Sequence, residues 1–112
     1  MKTSELIGAA LDWAVIKAIY PSADNGSFWL SFAVANKHSK DWNLSGPILT
    51  RERISRTIDH SGLWIAYWTD GYTEGDEGKK WIQCDRSELV AGLRCFVASK
   101  LGDEVDVPKE LL

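Results

Sequence analysis

The residue types best suited to chemistry lie between Asp41 and Ile58. A Trp42-Asn43 pair is followed by Gly46-Pro47 and by Arg51, Arg53 and Arg56. An indole offers a flat apolar face to an aromatic ring, and an amide reads a polar edge. Guanidinium forks match phosphate or carboxylate oxygens. Together these types suit the capture of a small anionic aromatic ligand, with Trp42 and Asn43 on the ring and Arg51 and Arg53 on the phosphates. The competing reading is local: Arg51 and Arg53 flank Glu52 as a solvated, ion-paired face, and Trp42 plugs the core beneath a loop.

Catalytic patterns are weaker. His38 and His60 are far apart and have no cysteine at ligand spacing, so they do not read as a metal site. Both read as solvated loop residues. Cys84 and Cys95 form no C-x-x-C pair and have no local base, and read as small packing residues in a reducing compartment. No G-x-S-x-G, phosphate-loop or dinucleotide motif occurs. Asp70, Asp76 and Glu77 are the only candidates for an acid–base pair, and a charged loop explains them as well. The expectation is a protein that is not an enzyme and carries no metal or cofactor.

The elements that position these groups follow from periodicity and breakers. Thr3 reads as the N-cap of a helix over about 4–19, with Glu5 in its first turn and Tyr20-Pro21 as its end. Ile7, Leu11, Ala14 and Ala18 form its apolar stripe, Trp13 sits at the edge, and Asp12 lies away from it. Asp24-Asn25-Gly26 is a turn signal. Phe28–Ala35 is rich in aromatic and branched residues and reads as a strand, and 36–40 as a polar loop. Pro47 suits the first position of a short helix over 47–53, with a strand at about 53–59 and a turn at Asp59–Gly62. Leu63–Trp68 is apolar on both faces, which predicts a central or interfacial strand. Asp70-Gly71 predicts a turn and 73–80 a mobile, polar loop. Trp81 falls in a short strand over Lys80–Cys84.

Asp85 or Ser87 caps a last helix over 87–101, which Gly102 ends. Leu89, Leu93, Phe96 and Val97 form its main stripe. The opposite side carries Ala91, Cys95 and Ala98, so the helix must be covered by the sheet on more than one side or by a second subunit. The predicted fold is therefore α+β: an N-terminal helix, an antiparallel sheet of about four strands, and a C-terminal helix on one face. The 112 residues make one domain, 1–112.

Composition sets further bounds. A net charge of −3 argues against general nucleic-acid binding. No apolar run reaches the length of a membrane span, and no signal peptide is visible, which points to the cytoplasm. Six tryptophans exceed what so small an interior hides completely. Trp64, Trp68 and Trp81 are accordingly candidates for an interface, most simply that of a homodimer.

Three blocks carry a family resemblance: Lys2–Leu6 with Gly8–Val15; Asp41-Trp42 with Gly46-Pro47-Ile48 and Arg51–Ile54; and Arg94–Pro108. In this order, and spanning nearly the whole chain, they resemble the NinX-like family of small phage and prophage proteins, a domain of unknown function. The resemblance implies an accessory protein acting in the cytoplasm of an infected bacterium and carries over no catalytic residue. Two functions fit: capture of a nucleotide-derived ligand such as a host-defence signal, or an interaction protein that modulates a host or phage protein.

Overall fold

A computed structural model describes residues 1–24, 26–69 and 79–111. Among them are four α-helices, α1 (Gly8–Ile19), α2 (Ser27–Ala35), α3 (Trp42–Arg51) and α4 (Glu88–Leu101), and three strands, β1 (Ser55–Ile58), β2 (Trp64–Thr69) and β3 (Lys79–Asp85). The strands form one antiparallel sheet in the order β1-β2-β3. The fold is α+β, with three strands instead of about four. The turn predicted at Asp70-Gly71, the 73–80 loop up to residue 78, and the Asp70, Asp76 and Glu77 group lie outside the described residues, as does Asn25 of the first turn signal; the last two residues of that loop, 79 and 80, open β3 instead.

The helix α4 organises the core. Ser87 Oγ accepts from the Val90 N–H at 3.2 Å, and Gly102, at φ +86°, ends the helix in a conformation that side chains rarely adopt. Every residue from Leu89 to Ala98 is buried. The sheet covers one side of α4, and α1 and α3 cover others. The cover that its small-residue side demanded thus comes from the chain itself. Gly92 permits the approach of α3: a Cβ there would stand 2.8 Å from Leu49 Cδ1, and Leu49 is fully buried.

The missing fourth strand is α2. A short apolar run has no unambiguous period, and the strand preference of aromatic residues reflects packing more than backbone. Here Trp29, Leu30, Phe32 and the buried Ala33 pack on the core, an arrangement that needs helical spacing.

Several smaller expectations also change. Thr3 caps no helix. It is buried in a short 3-10 turn, its hydroxyl donates to the Gly102 carbonyl at 2.6 Å, and its N–H to that of Asp103 at 2.8 Å. These bonds pin the N-terminus to the chain after α4, so α1 starts only at Gly8. Ile7, placed on the α1 stripe, is left outside and exposed. Asp12 is buried because α1 is covered nearly all round, and its carboxylate accepts the Ser39 N–H at 2.7 Å. His38 is buried in a 3-10 turn instead of solvated, with Nδ1 3.0 Å from the Asn36 carbonyl. Pro47 lies inside α3, because Asp41 starts the helix earlier by accepting the Asn43 N–H at 2.9 Å. The proline costs α3 one backbone bond.

The end of α3 is a Schellman motif. Ile54 N–H reaches the Leu49 carbonyl at 2.9 Å, Arg53 N–H reaches that of Thr50 at 3.2 Å, and Arg53 itself sits at φ +57°. Glycine is favoured at that position. Arg53→Gly is expected to raise stability by about 1 kcal/mol in urea melts, through relief of the left-handed penalty.

Cysteine placement splits the pair that was read alike. Cys95 is buried in α4, and burial pushes its thiol up to about 12. Cys84, expected to pack, is exposed because it sits on β3 opposite Ile65, on the sheet face turned away from α4. A thiol reagent at pH 8 is expected to titrate one cysteine in the native protein and two after denaturation. Stability should also fall as pH rises from about 9 toward 12, because only the unfolded chain ionises Cys95 readily.

Candidate functional site

An aromatic cleft lies where the sheet meets the ends of α3 and α4. Its walls are Trp68 from β2 and Trp81 from β3, its floor includes Ile54, and its rim carries Glu52, Ser99 and Lys100. It encloses about 180 Å³. The two indole centroids are 5.3 Å apart with their planes at 50°.

A break in pairing builds this wall. The β2–β3 register shifts between Ala66 and Trp68, and Trp81 takes φ +55° at that irregularity. A β-bulge re-aims a side chain, and a positive φ on a bulky aromatic residue is strained backbone. The bulge leaves the Trp81 side chain 40% exposed beside Trp68.

Charge collects around the cleft. Glu52 pairs with Lys100 Nζ at 3.3 Å and with Arg51 Nε at 3.5 Å. Lys80 Nζ stands 5.6 Å from the Trp68 ring centroid. Among the described residues, two cations thus pair with the rim carboxylate and a third stands over the Trp68 indole. Ser99 Oγ donates to the Phe96 carbonyl at 2.6 Å and keeps acceptor capacity only.

The residues singled out in the sequence fall at two places. Trp42 opens α3 and is 46% exposed. Arg56, not Arg51, lies over its ring, with Cζ 5.8 Å from the centroid, within cation–π range. Arg56 is otherwise engaged by Glu88 at 3.0 Å and by the Ile54 carbonyl at 3.0 Å. Asn43 is exposed one residue on. Arg51 closes the same helix, about 13 Å along the axis at 1.5 Å per residue. Arg51 and Arg53 therefore flank the lining residues Glu52 and Ile54, at the far end of α3 from Trp42. Trp64 is half-buried against the core. Of the six tryptophans Trp13 alone is buried, at 3% exposure.

Sequence reasoning did not single out Arg94 or Lys100. Arg94 is 6% exposed and binds the Leu6 carbonyl at 2.7 Å, the Cys84 carbonyl at 2.8 Å and Asp85 Oδ1 at 3.1 Å. A basic residue amid the small and apolar residues of α4 was the available signal.

A second cleft, of about 260 Å³, lies between α1 and α2 and is lined in part by Asp12, Lys37 and Lys40. It has no aromatic wall, and its buried carboxylate opposes an anion. Among the described residues no group of three His, Cys, Asp or Glu is placed to hold a metal ion. No described helix is long and apolar enough to cross a membrane.

The fold and cleft define a small α+β domain with paired indoles at a sheet bulge. Residues 2–100 match the family described as Bacteriophage P22, NinX, and the chain belongs to that phage family. It is accordingly a phage accessory protein. Comparison with curated proteins gives no match.

Proposed function

We propose that this phage protein is a non-catalytic binder that captures a small anionic aromatic ligand, nucleotide-derived and of the kind that carries host-defence signals. The observation that supports this reading best is the Trp68–Trp81 cleft with Arg51, Lys80 and Lys100 about it. An aromatic slot with a few polar anchors is the usual small-ligand design. In this reading the indoles of Trp68 and Trp81 hold the ring. The phosphates displace Glu52 from Arg51 and Lys100, and Arg53 adds charge at the rim. Trp42 and Asn43 belong to a separate surface.

The test is a thermal-shift panel of nucleotides and cyclic nucleotides. A ligand at 100 times its dissociation constant stabilises by about 2.7 kcal/mol, which raises the Tm of a chain this size by roughly 10 °C. No shift with any of them overturns the reading, and loss of a nucleotide over time would make the protein an enzyme.

A second reading, an interaction protein that modulates a host or phage protein, draws on Trp42. It is exposed and stacked by Arg56, and these are the two residue types that dominate interface hot spots. Co-purification of a host protein that Trp42→Ala abolishes would favour it.

A further inference from the structure

The outer side of α2 is an exposed face without charge. From Ser27 to Asn36 there is no charged residue. Phe28 is 68% exposed and Val34 55%, although each stands beside better-hidden neighbours on the same helix. At 100° per residue, Ser27, Ser31 and Ala35 form a small-residue stripe on that outer side, between Phe28 and Val34. Leu30, Ser31, Val34 and Ala35 line a hollow of about 310 Å³. The projecting ring and the hollow thus occupy opposite ends of one short helix.

We propose that a second copy of this chain covers this face, α2 against α2, antiparallel across a twofold axis. A twofold contact must be self-complementary, and two observations meet that condition. The small stripe lets the two backbones approach closely. The helix ends are also complementary in charge: exposed Asp24 precedes α2 and exposed Lys37 and Lys40 follow it, so each acidic end meets a basic one. A parallel pairing would set like ends together.

A nine-residue helix with its flanks gives roughly 1,000 Å² of total buried surface, the low end for a specific contact, so association is weak and concentration-dependent. This surface is apart from the Trp68–Trp81 cleft, and the proposal stands independently of any ligand.

Sedimentation equilibrium on the full chain, with circular dichroism to confirm folding of each variant, tests the proposal. A dimer with a dissociation constant of about 10–100 µM is expected, and Ser31→Arg, which sets a long charged side chain in the stripe, should weaken it at least about tenfold. Lys37→Glu alone should weaken it about threefold or more, and Asp24→Lys combined with Lys37→Glu should restore it, with the effect fading in high salt. The charge swap keeps the test decisive if Ser31→Arg disturbs the fold. A monomer at every concentration, a dimer indifferent to Ser31→Arg in a folded variant, or a double swap that restores nothing would overturn the proposal.

Discussion

Replacing Arg94 by alanine is expected to remove about 3–5 kcal/mol of folding stability. The guanidinium ties two parts of the chain to α4 through three bonds. Its Nε bonds the carbonyl of Leu6, ahead of α1, and its Nη1 bonds the carbonyl of Cys84 and the carboxylate of Asp85 at the end of β3. Removal leaves two carbonyls without this donor, each costing about 1–3 kcal/mol if no water reaches it. It also leaves Asp85, whose other oxygen accepts the Ser87 N–H at 2.9 Å, without its counter-charge. Stabilities of domains this size are about 5–15 kcal/mol, so the variant should approach half unfolding at much lower urea. Arg94→Lys retains the charge but not the fork, and should lose about half as much as alanine. A urea midpoint close to that of the unsubstituted protein would show that these bonds carry little weight.

Trp81 separates stability from binding. Its backbone is strained at φ +55°, and glycine at that position should relieve about 1–2 kcal/mol. The same substitution deletes one wall of the cleft. Trp81→Gly should therefore fold within about 1 kcal/mol of the unsubstituted protein, since the relief offsets the lost contact of a ring that is 40% exposed. Trp81→Ala loses the ring and keeps the strain, so it should be the less stable of the two by about 1 kcal/mol. Both should weaken the nucleotide ligand found in the thermal-shift panel by about 10- to 100-fold, the worth of one aromatic stack. Affinity unchanged in Trp81→Gly would remove this cleft from the proposed function, whatever the stability result.

The two substitutions probe parts of the chain that differed in how far they could be read. The start and end of α4 were legible because a serine cap and a glycine stop act within a few residues of themselves. Leu63–Trp68 was legible as a central strand because both its faces are apolar, and the Asp59–Gly62 turn because Asp59 satisfies the backbone locally. Asp59 Oδ1 accepts from Ser61 N–H at 2.8 Å, Ser61 Oγ at 2.6 Å and Leu63 N–H at 3.1 Å, which holds its carboxyl below the usual range. α2 was not legible, because seven apolar residues in nine satisfy a strand and a helix alike. The start of α3 was misplaced because a favourable site for Pro47 was weighed above the cap that Asp41 supplies.

The candidate site divides in the same way. Residue types alone marked tryptophan and arginine as the means of binding, but proximity in sequence put Trp42 with Arg51, and a helix of ten residues holds its two ends apart.

By itself, then, the sequence determined the phage family, the α+β class, the two ends of α4, the Asp59–Gly62 turn, and an excess of indoles over what the interior encloses. These depend on local bonding, on composition, or on matching residues in order. Only the tertiary structure decided that Phe28–Ala35 is a helix, that His38 and Arg94 are buried, and that Trp68 meets Trp81 at a bulge beside Lys100. Each of those outcomes depends on which distant surface is present to pack against, and nothing in a residue's near neighbours carries that information.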